Sequence, residues 1–250
     1  MLISFAMPKF LNNGGSEGAK TKAGEVTADN VFIPNAFIKI GRDGKVTLVM
    51  HKVEIGQGTY TSIPMLIAEE LEVDLNQVIL EAAPANDKLY ADPLLSSQVT
   101  GGSTSIRGAW KPLREAGAIA RMLLISAASK QWNVDAATCH AEQGYVVNAE
   151  GKKLAYGELA NAAATMPLPT QVTLKDPKDF KLIGTPAKRL DTPGKVNGKA
   201  KYGIDVHLPE IKIATVAACL VLGGKLASVD DSKALVVRRY TAWCLSPLLL

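Results

Sequence analysis

The chain has 250 residues, room for one large or two small domains. Its 47% apolar and 21% charged residues match ordinary globular usage, which excludes a disordered, collagen-like or coiled-coil chain. A net charge of +4 permits an anionic ligand without requiring one, and 3 scattered cysteines with 3 histidines argue against a disulfide framework, a structural zinc, a resident iron–sulfur cluster or a multi-histidine metal site.

Residues 1–8 read as a short apolar arm or as the end of a signal-peptide h-region without its charged start. Residues 12–30 are rich in Gly, Ser, Lys, Thr and Glu and read as a flexible leader. The first folded signal is a hairpin. Residues 37–40 and 45–50 alternate apolar and polar side chains around Gly41-Arg-Asp-Gly44, and Asp-Gly between such runs marks a hairpin turn. The second strand runs into Glu54-Ile-Gly56-Gln57-Gly58. Residues 59–71 then carry helical spacing through Ile63, Leu66, Ile67 and Leu71, with Glu69 and Glu70 on the other face. Pro64 requires that helix to begin close before it. Residues 78–82 read as a strand.

A long helix is expected from about Ser105 to Ser129. Ile106, Trp110, Leu113, Gly117, Ala120, Leu124 and Ala127 step by three or four along one face. Arg107, Lys111, Arg114 and Arg121 step along another, as a solvated basic face would. Pro112 should kink this helix or mark a later start. Residues 144–151 suggest a small hairpin and 156–165 a short helix. Residues 175–191 read as a polar, proline-bearing linker, with a second unit starting near Leu182 and strand-like sequence at 216–222. The last residues, 238–250, show no turn chemistry and no period, as a hydrophobic strand or a frame-shifted end would.

Two glycine-rich turns feed helices. Gly56-Gln57-Gly58 allows positive φ and close backbone approach, and the helix start behind it offers free amides to an anion. Gln57 both donates and accepts hydrogen bonds. By itself the motif reads more readily as a tight turn than as a ligand site. Gly101-Gly102-Ser103-Thr104-Ser105 repeats the pattern with hydroxyls that can cap the helix or bond a phosphate oxygen, and Arg107 lies one turn in. Neither turn is a Walker loop or a dinucleotide fingerprint. His51, His140 and His207 lie far apart and read as ordinary histidines. Asp87 and Asp92 flank Tyr90 as solvated loop carboxylates. Cys139 and His140 are adjacent in sequence, a poor geometry for a nucleophile pair.

Together, Glu54-Ile-Gly56-Gln57-Gly58-Thr-Tyr-Thr61, Met65-Leu-Ile-Ala-Glu-Glu-Leu71 and Gly101-Gly-Ser-Thr-Ser-Ile-Arg107 resemble the molybdopterin-binding large subunit of the xanthine oxidase family. The nearest branch is the isoquinoline 1-oxidoreductase beta subunit with the related membrane-associated aldehyde dehydrogenases. Gly184-Thr-Pro, Gly198-Lys-Ala-Lys-Tyr-Gly-Ile-Asp205 and Ser228-Val-Asp230 resemble the start of that family's hammerhead domain.

The resemblance implies an α+β chain. A leader over 1–30 precedes a mixed molybdopterin-binding region over 31–175, an incomplete hammerhead-like α/β domain over 182–237 and an aberrant tail over 238–250. It implies molybdopterin cytosine dinucleotide as cofactor, held by Gly56, Gln57, Gly58, Gly101, Gly102, Ser103, Thr104, Ser105 and Arg107. It implies hydroxylation of an aldehyde or N-heterocycle with oxygen from water. Electrons would leave to iron–sulfur clusters on a separate small subunit, with a cytochrome c-type subunit as a further candidate partner and no nucleic acid. The start resembles the end of a twin-arginine signal, which implies a periplasmic or periplasm-facing, membrane-associated location. Family large subunits are much longer, and their general-base glutamate has no counterpart in this sequence. A non-catalytic fragment, or an unrelated phosphate- or nucleotide-binding module built on 101–107, are the competing expectations.

Overall fold

The computed structural model describes residues 25–26, 31–209 and 220–237. The leader and tail expectations, and most of the 216–222 strand, lie outside them. By internal contacts the chain divides into Met1–Ala200 and Lys201–Leu250.

In the first unit a five-stranded sheet is ordered β1 (Glu25–Val26), β2 (Val31–Asn35), β3 (Ile38–Gly41), β4 (Val46–Met50) and β5 (Val78–Ala82). The first four strands pair antiparallel, and β3 and β4 form the expected hairpin with Ile38 opposite Leu48 and Ile40 opposite Val46. β5 joins β4 in parallel. A parallel partner needs a crossover, and helix α1 (Thr59–Leu71) supplies it. Ile63, Leu66, Ile67 and Leu71 are buried at the spacing that the sequence shows. Pro64 sits in the second turn without ending α1.

Helix α2 (Asp87–Tyr90) is a single turn. Helix α3 (Ser105–Trp132) runs through Pro112 and ends three residues later than expected. Asn133 stops it in the left-handed conformation at φ 56°, the C-terminal signal that asparagine can supply. α3 crosses α1 at very close range. A Cβ on Gly117 would stand 2.6 Å from the Ile67 carbonyl oxygen, so only glycine lets the two backbones approach this far.

The expected hairpin at 144–151 is a three-stranded sheet of β6 (His140–Glu142), β7 (Tyr145–Val147) and β8 (Lys153–Ala155). Gly144 and Gly151 mark its two turns rather than the two ends of one hairpin. Gln143 and Gly144 both take positive φ, 48° and 82°, which suits a two-residue hairpin turn. Helix α4 (Tyr156–Ala163) follows and packs on α3, while Tyr156 donates its hydroxyl to the Leu71 carbonyl at 2.6 Å.

The stretch expected as a linker is a strap across α1 and α3. Glu69 and Glu70, placed by periodicity on the outer face of α1, are fully buried beneath it. The Glu69 carboxylate accepts the amides of Lys181, Leu182 and Ile183 and the Lys175 ammonium, at 2.7–3.1 Å. Glu70 accepts Arg114 at 2.7 Å, Arg121 at 3.3 Å and the Lys175 amide. The basic face of α3 is therefore only partly solvated. Arg107 and Lys111 are exposed, but Arg114 is buried, stacked on Trp110 and Phe180. Leu182, Ile183, Ala187 and Leu190 pack against the same core. Helix α5 (Thr192–Val196) closes the first unit. In the second unit a short helix α6 (Ser232–Leu235) is present, and Leu220–Leu222 form bends and a turn rather than strand.

Candidate functional site

Three consecutive residues at the end of β4 stitch the two glycine turns together. The chain leaves the core through His51 and Lys52, both buried. The Lys52 ammonium turns inward to the Asp92 carboxylate and donates to the Val99 carbonyl at 2.7 Å. The Val53 amide donates to Thr100 Oγ1 at 2.9 Å. Glu54 turns the other way, toward the start of α1. Residues 52–54 therefore touch both the 56–58 turn and the 99–104 loop.

Glu54 fills the anion position that the sequence offered to a ligand at α1. Its carboxylate accepts the amides of Gly56, Gly58 and Tyr60 at 2.8–3.1 Å. Arg189 donates to the same carboxylate at 3.0 Å and to the Gly56 carbonyl at 3.2 Å, and Asp191 holds its guanidinium. Burial pushes the Glu54 carboxyl up, but the three amides and Arg189 outweigh it and hold it below the usual range. Gln57 closes on its own loop, accepting from the Ile55 amide at 2.6 Å and donating to the Val53 carbonyl at 2.8 Å. Gly56 and Gly58 take φ 109° and 88°, and a Cβ on either would meet nothing within 4 Å.

The second turn is the more open of the two. Gly101, Gly102 and Ser103 are exposed, and Gly102 and Ser103 take φ 61° and 54°. Successive backbone amides in such conformations form a concavity suited to an anion. No side chain caps the first turn of α3, so its amides and positive dipole end stay available. Ser105 is half-buried and Arg107 exposed beside them.

Thr104 differs from its neighbours. Its hydroxyl is buried and donates to Asp92, and it also reaches the Gly101 carbonyl at 3.0 Å. It is spent on the protein rather than offered to a ligand. Asp92, expected as a solvated loop carboxylate, is fully buried instead. Burial pushes its carboxyl up, but hydrogen bonds from Lys52, Thr104 and the Leu94 amide carry it down to about 2. The signal for this pair was the lysine itself. A Lys that directly extends a buried apolar strand needs a carboxylate partner.

His51 packs edge-on against Phe37 at 5.5 Å, and its Nδ1 is buried with no hydrogen-bond partner. Burial, aided by the nearby Lys52 charge, holds its pKa down to about 4. The folded chain therefore keeps the imidazole neutral where the unfolded chain protonates it, near 6.5. Stability is full above that value and falls as pH drops toward 4, by about 3 kcal/mol at 1.36 kcal/mol per unit. Urea midpoints measured from pH 7.5 to 4.5 are expected to show this fall in the wild type and to flatten in His51→Phe. An unchanged slope in the variant would assign the fall to other groups.

Among the described residues, no group of three or more His, Cys, Asp or Glu could hold a metal ion. No helix among them is long and apolar enough to cross a membrane.

Isoquinoline 1-oxidoreductase subunit beta of Brevundimonas diminuta is 34% identical over 236 residues, covering 80% of this chain and 30% of its own length. A membrane-bound aldehyde dehydrogenase (pyrroloquinoline-quinone) of Gluconacetobacter polyoxogenes is 29% identical over 224 residues, covering 87% of this chain and 28% of its own. The chain thus spans less than a third of the length of these curated relatives. Among solved structures, quinoline 2-oxidoreductase from Pseudomonas putida 86 aligns at 22% identity with a TM-score of 0.40, over 55% of this chain and 17% of that one. The model of the molybdopterin cofactor-binding domain matches residues 12–218, and by that match the chain belongs to the molybdopterin cofactor-binding domain family.

Proposed function

We propose that this chain forms part of the cofactor wall of a molybdenum-dependent hydroxylase, with molybdopterin cytosine dinucleotide as the form bound. The reading rests on one observation joined to family membership: two glycine turns stitched side by side, one of them exposing amides that no protein group has claimed. The donor set suits a pyrophosphate. Amides of Gly101, Gly102 and Ser103, the Ser105 hydroxyl and the Arg107 guanidinium all favour negative charge.

When bound, the cofactor supplies oxidation of an aldehyde or N-heterocycle carbon with oxygen drawn from water. The chain's own residues bind and orient. Gly102 and Ser103, both exposed and at positive φ, supply amides to the ligand. Glu54 and Arg189 keep the 56–58 turn in one shape, so that Gln57 can exchange its internal bonds for bonds to the pterin. The motif resemblance of the sequence supplies the further proposals: electrons pass to a small iron–sulfur subunit, a cytochrome c-type subunit takes them onward, and the assembly faces the periplasm. Residues 182–237 are proposed as the start of a hammerhead-like domain. The general base is assigned to none of this chain's residues.

The test is composition. The protein, isolated with its accompanying subunits from a molybdenum-replete host, is expected to carry molybdenum and to release CMP in mild acid. Arg107→Glu together with Ser105→Asp should lower both at least tenfold while the melting temperature holds, since Arg107 is exposed, Ser105 is half-buried and an acidic residue suits a helix start. Wild-type protein with neither molybdenum nor CMP would overturn the assignment.

A further inference from the structure

We infer that Lys52, Asp92 and Thr104 form a buried positioning device that holds the Gly101–Ser103 backbone in its ligand-presenting shape, and that Thr104 therefore acts through the protein and not as a ligand. The inference rests on the proposed cofactor role of that turn. The geometry itself does not. Asp92 and the Lys52 side chain are almost wholly out of water, and their contact is direct. Asp92 spends its remaining lone pairs on the amides of Leu94 and Leu95 at 2.7 and 3.2 Å, and on the Thr104 hydroxyl.

The consequence for the turn is specific. Ser103 is a non-glycine residue at φ 54°, and Gly102 sits beside it at 61°. A serine holds that conformation only where its surroundings over-determine it. The surroundings in question are few. A Cβ on Gly101 would meet nothing within 4 Å, and one on Gly102 only the Thr104 methyl at 3.6 Å, so packing does not confine the turn. What confines it are tethers at each end. Lys52 grips the Val99 carbonyl, and the Val53 amide grips Thr100. At the far end the Thr104 hydroxyl is locked to Asp92, while the Thr104 amide closes on the Gly101 carbonyl at 3.3 Å. One buried ion pair thus anchors both flanks of an exposed turn. The side chains that do this lie 40 and 12 residues apart in sequence from Asp92 and touch no solvent.

Thr104→Val keeps the shape of the residue and deletes only the hydroxyl. Hydrogen exchange of the Thr104 amide, bonded to the Gly101 carbonyl, and of the Val53 amide, bonded to Thr100, is expected to rise at least tenfold in ligand-free protein, while the amides of 63–71 in α1 keep their wild-type protection. Molybdenum and CMP content should fall at least tenfold in the same variant, and Thr104→Ser should restore both readouts. Unchanged exchange at Val53 and Thr104 in Thr104→Val would overturn the inference, as would a rise shared equally by α1, which would make the hydroxyl merely structural. Wild-type protein without molybdenum or CMP would sink the cofactor assignment alone, because the exchange measurement still decides whether the turn is held.

Discussion

Replacing Glu70 by alanine is expected to lower the unfolding free energy by about 3–5 kcal/mol, the range for breaking a buried ion pair by deleting one partner. Glu70 is fully buried, and so in effect is Arg114, which donates to it through Nε at 2.9 Å and Nη2 at 2.7 Å. Alanine leaves that guanidinium without a counter-charge, still bonded to the Lys175 carbonyl at 2.7 Å and stacked on Trp110 and Phe180 at 5.2 and 4.9 Å, neither of which accepts its other N–H groups. The Lys175 amide also loses both of its carboxylate acceptors. Chemical denaturation checks the size of the effect. Limited proteolysis within residues 173–183 checks its location, because the strap should be cut first. A double replacement, Glu70→Leu with Arg114→Met, should recover most of the loss, since an apolar pair of similar volume carries no desolvation cost. The half-exposed pair Lys39–Glu81 makes a useful control. Removing Glu81 should cost under about 1 kcal/mol, as for exposed pairs in general. A Glu70→Ala effect no larger than that control would mean that water reaches the carboxylate and that the strap is not pinned by it.

The same residues show where sequence patterning stops being informative. The apolar positions of α1 repeat every three or four residues, so its limits, Thr59–Leu71, could be read from its own sequence. Periodicity also puts Glu69 and Glu70 away from the sheet, and that much holds. It cannot say what covers the far side. The covering strap lies more than a hundred residues downstream, and a carboxylate that accepts three consecutive amides has no local signature. Arg114 and Arg121 were visible as a row at a seven-residue step on α3. Their partners were not, because pairing across helices depends on how close the helices come, and that in turn depends on Gly117.

The glycine turns were legible for a different reason. Positive φ restricts residue choice, so glycine clusters betray backbone shape. Which amides stay free was not legible. It depends on Glu54, four residues upstream, folding back onto Gly58 at α1, and on the absence of any such side-chain cap at α3. Thr104 looked like a helix cap by residue type. Its hydroxyl serves Asp92 because that buried carboxylate offers a stronger acceptor than anything local.

Lys52→Met carries the second large effect, and its pH dependence separates it from ordinary core damage. Removing the ammonium leaves Asp92 ionised and out of water, with an expected loss of about 3–5 kcal/mol at pH 7. In the wild type, burial pushes the Asp92 carboxyl up, and hydrogen bonds from Lys52 and Thr104 more than reverse this, to about 2. A depressed carboxylate stabilises the fold above its unfolded value near 3.9 and loses that contribution as pH falls toward 2. In the variant the sign inverts. With Lys52 gone, burial dominates and the folded carboxyl rises above its unfolded value, so acid relieves the strain by neutralising it. The gap between wild type and Lys52→Met should therefore shrink by more than half from pH 7 to pH 4. The Lys52 charge also helps hold the His51 pKa down, so both proteins are compared on a His51→Phe background, which removes that titration from the gap. Pairing Lys52→Met with Asp92→Leu should remove the pH dependence of the gap and recover most of the stability. It should do so without restoring the 100–105 turn, because an apolar pair cannot accept the Thr104 hydroxyl. A double variant that regained both stability and exchange protection at Val53 and Thr104 would show that the charges serve only to fill the core. Stability regained with the turn still loose would separate what the ion pair does for the fold from what it does for the site.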